Sequence, residues 1–174
     1  INDKFVVGVF GRNVERKQQA RVLLALKRLR DLGKDSNLLV YFHCQPKDNI
    51  GFRGWNLINI AENLGIDDLI RFPHEGFQQI NGVPLHKRSG FVERISTNTS
   101  FLPTNLNYVE RINMCDMIIN VPFCGGFELS ILEAQASGVP IAITNDQGIM
   151  AEVGGDGVLL LDADDTGIWH TGAT

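Results

Sequence analysis

The chain has 174 residues, of which 44% are hydrophobic and 21% are charged. This length and composition are ordinary for one globular domain with a sizeable core. The formal net charge of -4 at pH 7 gives no basic surface for nucleic acid or for an anionic membrane, so neither partner is favoured.

The first three predicted elements form a βαβ unit. Apolar runs rich in Val and Phe at residues 4–10 and 37–43 predict two strands that are buried on both faces. Between them, apolar positions at helical spacing over residues 18–32 predict a helix, for which Gly33 is a plausible C-terminal stop.

The same alternation continues along the chain. Helices are predicted at residues 55–64, 106–115 and 128–137, and strands at 69–73, 117–121 and 140–144, followed by a short helix through Met150 and a strand at 158–161. Strands that alternate with helices at this spacing predict a parallel sheet covered on both faces, with right-handed crossovers. The expected fold class is therefore a doubly wound, Rossmann-like α/β domain.

Two regions depart from this rhythm. Residues 74–105 contain several glycines and prolines without periodicity, which predicts an irregular insertion, and such long segments are usually functional or mobile. After Leu161 the chain continues with an acidic stretch and reaches Thr174 without a covering helix. We therefore expect residues 1–174 to be a single domain that is part of a longer protein.

Cysteine content and hydropathy bear on the cellular compartment. Cys44, Cys115 and Cys124 are widely spaced and show none of the paired spacings of a zinc site or redox motif. No apolar run approaches the roughly 18 residues that a membrane span needs, and no signal-peptide pattern precedes the first strand. These features predict a cytoplasmic location without an integral membrane segment.

The segment after the first strand offers candidate phosphate ligands. Parallel α/β sheets bind ligands at the carboxyl ends of their strands, and there Gly11 allows close backbone approach while Arg12 and Lys17 supply cationic donors. Spacing alone leaves an alternative open, in which both cations are solvated surface charges. The sequence lacks the G-x-G-x-x-G fingerprint and a P-loop, so bound phosphate would depend on side-chain cations and helix-end amides.

The second candidate edge is the stretch CGGFELSILEAQASGVPIAI at residues 124–143. Gly125 and Gly126 free the backbone at a helix entrance, where the positive end of the helix dipole favours an anion. Glu128 and Glu133 are five residues apart, about 140° around a helix, so they serve different roles. Glu128 has an alternative as a favourable helix-start charge, whereas Glu133 lies among apolar residues and needs a partner.

Together these segments resemble a known family. Its successive motifs, which include the core F-G-x-x-x-x-E-A-x-A-x-G-x-P-V, are similar to four segments of this chain. These segments are FVVGVFGRNVERK at residues 5–17, NMCDMIINV at 113–121, FELSILEAQASGVPIAIT at 127–144 and GIMAE at 148–152. The family is that of retaining glycosyltransferases with the two-domain GT-B fold, family 4-like or group 1, which includes sucrose synthases and bacterial mannosyltransferases. The resemblance is to their C-terminal, nucleotide-sugar-binding half and covers most of the chain.

The resemblance implies a set of donor contacts. The residues expected at the diphosphate are Gly11, Arg12, Lys17, Leu129 and Ser130. The residue expected at the ribose is Glu133, and those expected at the donor sugar are Gly125, Gly126, Phe127 and Glu128. Base contacts are expected from the backbone around Phe72 and Pro73. Catalytic residues are not determined, with Arg12, Lys17 and Glu128 as candidates, and neither a metal nor a cofactor is expected.

Two positions depart from the family pattern. Its first glutamate, eight residues before the second, falls here on Gly125, and the glycine after phenylalanine is replaced by Glu128. These departures leave three alternatives: altered donor chemistry, a substitute role for Glu128, or lost activity.

The function that the resemblance implies is donor binding within a retaining glycosyltransferase that uses a nucleoside diphosphate sugar, with UDP and GDP both open. The acceptor would bind to an N-terminal domain outside this chain, and the domain alone would be inactive. The alternatives are a catalytically silent nucleotide-sugar-binding module and a sugar-nucleotide 2-epimerase of the same architecture.

Overall fold

The computed structural model describes residues 3–47, 54–73, 100–102, 106–122, 127–145 and 149–162. The strands in chain order are β1 (Phe5–Phe10), β2 (Leu38–His43), β3 (Ile70–Pro73), β4 (Ser100–Leu102), β5 (Met117–Asn120), β6 (Ile141–Asn145) and β7 (Leu159–Asp162). The helices are α1 (Gln19–Asp31), α2 (Leu57–Leu64), α3 (Tyr108–Asn113), α4 (Leu129–Ala136) and α5 (Ile149–Gly154).

All strand pairs are parallel, and the strands form one sheet in the order β4-β3-β2-β1-β5-β6-β7. The chain winds outward from β1 through β2 and β3 to β4, and then returns to place β5 on the other side of β1. The strand order therefore reverses between β1 and β5. This topology confirms the predicted doubly wound α/β fold.

Helices cover both faces of the sheet. On one face, α1 and α2 bury Leu23, Leu26 and Leu57 in a cluster that includes Val40 and Phe42 of β2. On the other face, residues of α3 and α4 join Leu39 and Tyr41 of the same strand in a second cluster. Because successive side chains of β2 enter opposite cores, this strand is apolar along nearly its whole length.

Local capping sets several helix ends. Asn107 forms a capping box with Glu110 at the start of α3, so this helix begins later than its apolar pattern predicts. Asn56 accepts a hydrogen bond from the Asn59 amide at the start of α2. Gly65 ends α2 in the left-handed conformation, with φ of 65°.

The structure corrects part of the predicted irregular insertion. Residues 100–102 form β4, which pairs with β3 at the edge of the sheet. A three-residue strand is too short to show periodicity, which explains why the sequence did not predict it. Residues 74–99 and 103–105 lie outside the described residues, as do residues 163–174 beyond β7.

Candidate functional site

The strand order reverses between β1 and β5, and the carboxyl ends of these two strands lie side by side at one edge of the sheet. β1 pairs with β2 on one side and with β5 on the other. The helices that follow these two strands, α1 and α4, pack on opposite faces of the sheet. In open α/β sheets, ligands bind in the crevice outside such a switch point. Both sequence segments that were predicted to bind the ligand follow these two strands.

The connection from β1 to α1 folds back over the end of β1. Gly11 has φ of +134°, a backbone conformation that favours glycine. A 3-10 turn at Glu15–Lys17 follows, and Gln18 then adopts the left-handed conformation with φ of 56°. The buried side chain of Gln19 donates to the carbonyl of Arg12 over 2.8 Å. These turns place Lys17 beside Gly11 at the mouth of the crevice.

The Asn13 side chain joins the connection between β1 and α1 to the segment that precedes α2 through hydrogen bonds. Asn13 is 2% exposed and donates from Nδ2 to the carbonyls of Trp55, over 2.7 Å, and Gln45, over 3.1 Å. Its Oδ1 accepts from the Trp55 amide over 3.1 Å. Because these partners lie far along the chain, the Asn13 side chain holds two loops of the crevice together.

Lys17 and Glu128 form an ion pair across the crevice. The Lys17 ammonium contacts Glu128 Oε1, and the two side chains are only 9% and 10% exposed. Arg16 adds a second, more exposed cation, with its guanidinium 3.8 Å from the same oxygen. The structure thus joins two residues that the family resemblance assigns to different parts of the donor, Lys17 to the diphosphate and Glu128 to the sugar.

Glu128 is also the N-cap of α4. Its carbonyl accepts from the Ile131 amide over 3.1 Å, while its side chain makes no capping hydrogen bond within the described part of the chain. The carboxylate turns to Lys17 instead. On either side of Glu128, the residues Phe127 and Leu129 are each 60% exposed.

Ser130 connects the first turn of α4 to the end of β5. Its hydroxyl oxygen accepts from Nδ2 of the buried Asn120 over 3.1 Å. Because Asn120 is the last residue of β5, this bond fixes the helix start relative to the sheet edge. The helix N-terminus, where unpaired amides and the dipole favour an anion, is thereby held at the crevice.

Glu133 has a partner, as its apolar surroundings require. Tyr108 donates its hydroxyl to Glu133 Oε2 over 2.6 Å. Partial burial, and then this carboxylate, raise the pKa of Tyr108 above its usual range. The Tyr108 ring lies edge-on to Phe10 and to His43, which end β1 and β2. The carboxylate predicted to bind ribose therefore lies beside an aromatic cluster at the same sheet edge.

The remaining predicted site residues are placed differently. Phe72 is fully buried and stacks on Phe42 with ring centroids 5.6 Å apart, so its side chain belongs to the core. Base recognition through the backbone near Phe72 and Pro73 stays a prediction. Arg12 is exposed on the connection after β1. Gly125 and Gly126 lie outside the described residues.

Within the described ranges, no group of three or more His, Cys, Asp or Glu side chains could hold a metal ion. Over the same ranges, no helix has the length and apolar character that crossing a membrane requires.

Sequence reasoning missed three residues that organise the crevice, namely Asn13, Tyr108 and Asn120. Polar residues next to the carboxyl ends of strands could have indicated Asn13 and Asn120 as anchors for the connections that follow. Tyr108 gave no such signal, because its position one residue after a helix N-cap indicates nothing about Glu133.

Comparison with solved structures gives the same architecture. HepE from Anabaena in complex with UDP-glucose has a TM-score of 0.59 and 17% identity, over 92% of this chain and 35% of that chain. WaaG, a glycosyltransferase involved in lipopolysaccharide biosynthesis, has a TM-score of 0.58 and 16% identity, over 93% and 34%. The C-terminal domain of LpcC, a glycosyl transferase group 1 family protein from Francisella tularensis, has a TM-score of 0.54 and 17% identity, over 92% and 68%.

The chain thus spans about a third of the length of HepE and of WaaG. No protein-family model matches it, and no curated protein matches its sequence. The solved neighbours are GT-B glycosyltransferases, which confirms the fold expected from the sequence resemblance. At 16–17% identity, these likenesses show the fold alone.

Proposed function

We propose that the chain is the donor-binding domain of a retaining glycosyltransferase. A nucleoside diphosphate sugar, with UDP or GDP as the nucleotide, would bind in the crevice between β1 and β5, and an acceptor bound to another domain would receive the sugar. The observation that carries this proposal is the convergence of Lys17, the start of α4 and Glu133 at the topological switch point. HepE, which has this fold, has been solved with UDP and with UDP-glucose.

The diphosphate would lie between the two connections. Gly11 allows close approach of the backbone, Arg12 and Lys17 supply positive charge, and amides near Leu129 and Ser130 face the anion from the positive end of α4. Negative charge grows on the diphosphate as the bond to the sugar breaks. Cations and amides that are already in place stabilise that charge without reorganisation.

The other parts of the donor would extend along the same edge. The ribose hydroxyls would donate to Glu133, whose Oε2 already accepts from the Tyr108 hydroxyl. The sugar would lie near residues 125–128, where Glu128 would reach it once the pair with Lys17 opens. The base would meet the backbone near Phe72 and Pro73. No metal or cofactor is assigned.

Calorimetry with UDP, GDP, ADP and UDP-glucose tests the proposal. Hydrogen bonds to charged groups contribute about 1.5 to 3 kcal/mol, so Lys17→Ala should weaken binding of the preferred nucleoside diphosphate about 10- to 100-fold. Lys27→Ala is the matched control, because Lys27 pairs with Asp31 on the exposed side of α1. Absence of binding by every nucleotide, or equal effects of the two substitutions, would refute the assignment.

A catalytically silent binding module is the second candidate. The family's first glutamate is replaced by Gly125, and Glu128 is paired with Lys17. Both features remove a carboxylate from the expected sugar site. Assays of sugar transfer and of sugar epimerisation, on a form of the protein that includes an acceptor domain, would distinguish a transferase from a 2-epimerase and from a silent module. We expect the domain alone to bind the donor without transferring its sugar.

A further inference from the structure

We propose that Glu128 is an internal counter-anion, which competes with the phosphates of a ligand for Lys17 and so sets the affinity of the crevice for anions. This inference rests on the proposed function, because it concerns the same lysine. It differs from a role at the sugar, since the effect of Glu128 would be felt by any ligand that carries phosphate.

The geometry around Glu128 is that of an occupied anion site. Its Oε1 contacts the Lys17 ammonium and lies 3.8 Å from the Arg16 guanidinium. Its backbone begins α4, so the carboxylate lies near the positive end of this helix. A lysine, a second cation and a helix N-terminus are the groups that bind phosphate elsewhere, and here they surround a carboxylate that belongs to the chain.

The low exposure of the Lys17–Glu128 pair strengthens its effect on the affinity for phosphate. The Lys17 and Glu128 side chains are 9% and 10% exposed, so water and salt screen their interaction much less than that of a surface pair. A phosphate that approaches Lys17 must either displace the carboxylate or lie close to it. Displacement breaks an ion pair, and proximity places two negative charges together, so both routes reduce the net affinity.

Removing the charge of Glu128 should therefore strengthen anion binding. In Glu128→Gln, Lys17 has no carboxylate partner at this position and remains available to the ligand. We expect UDP and inorganic pyrophosphate each to bind about tenfold more tightly, or more, than they bind the wild-type chain. The opposite expectation follows if Glu128 serves to hold Lys17 in position for phosphate, because its loss would then weaken binding.

Calorimetric titration with UDP and with inorganic pyrophosphate would be run on the wild-type chain and on Glu128→Gln. Glu128→Ser is a second neutral variant, since serine is favoured at a helix N-cap and should preserve the start of α4. Asp31→Asn is the matched control, because it removes the carboxylate of a lysine pair on α1. Both Glu128 variants should bind the two anions more tightly, and Asp31→Asn should not.

Stability without ligand gives a second readout. Breaking a poorly exposed pair from one side destabilises a protein, so Glu128→Gln should lower the melting temperature more than Asp31→Asn does. Lower stability together with tighter anion binding is the signature of an internal competitor. Unchanged or weaker binding of both anions to both Glu128 variants would overturn the inference.

The two proposals fail in different ways. If none of UDP, GDP and ADP binds better than pyrophosphate while both Glu128 variants still tighten pyrophosphate binding, the competition stands and the nucleotide assignment is wrong. If the wild-type chain binds UDP well and both Glu128 variants bind it less tightly, the nucleotide assignment stands and the competition is wrong.

Discussion

Replacing Asn13 with alanine would show how strongly one buried side chain holds the crevice together. Among the described residues, the Asn13 side chain makes three hydrogen bonds to backbone groups, two to carbonyls and one from an amide. Each such bond contributes about 1 kcal/mol net, so the substitution should lower the free energy of unfolding by about 3 kcal/mol. For a chain of this size, that loss corresponds to a fall of about 6 to 12 °C in melting temperature.

Urea denaturation followed by tryptophan fluorescence would measure the loss, with Asn63→Ala as the control. The Asn63 side chain donates to that of Asn59 on the exposed side of α2, so its replacement should cost less than about 0.5 kcal/mol. UDP binding by Asn13→Ala should also weaken, because the connection that carries Lys17 loses its anchor. A loss of stability no larger than that of Asn63→Ala would refute the anchoring role.

Two further substitutions test the packing and the hydrogen bonds around the crevice. A Cβ added at Gly8 would lie 2.7 Å from Cys115 Sγ and from Phe10 Cε2. Gly8→Ala should therefore destabilise the chain by about 1 to 3 kcal/mol. In thermal denaturation, adding Cys115→Ala should recover part of this loss. Tyr108→Phe removes the hydroxyl that Glu133 accepts and should cost about 1 kcal/mol at neutral pH. Because the folded state raises the pKa of Tyr108, this contribution should be fully present below about pH 10 and be lost as pH rises through the raised pKa. If the wild-type chain is no more stable than Tyr108→Phe already below about pH 9, this view is contradicted.

Much of the fold could be predicted because its signals are local. Apolar runs identified the central strands, because both faces of these strands are buried. Helical spacing identified α1, because one face of this helix packs on the sheet. Strand β4 was not predicted, because its three residues are too few to show an alternation of apolar and polar side chains. The later start of α3 depends on the capping box of Asn107 and Glu110, which competes with the apolar pattern that precedes it.

In the candidate site, too, some features could be predicted from local sequence and others depend on tertiary packing. The sequence indicated that Glu133 needs a partner, because a carboxylate among apolar residues must be satisfied. It could not identify Tyr108, whose partnership depends on how α3 and α4 pack side by side on one face of the sheet. The sequence also predicted Lys17 as a phosphate ligand from its position after a strand, and that role stays a prediction.

The α/β class, the parallel sheet and the two connections where a ligand is expected could be predicted from the amino-acid sequence, because these features follow from the periods and stops of individual segments. The contact between Lys17 and Glu128, which are 111 residues apart, depends instead on how the elements pack in three dimensions. That contact exists because β5 returns to pair with β1, which brings the two connections to the same crevice. Strand order depends on how all the elements pack together, and no local pattern along the chain specifies it.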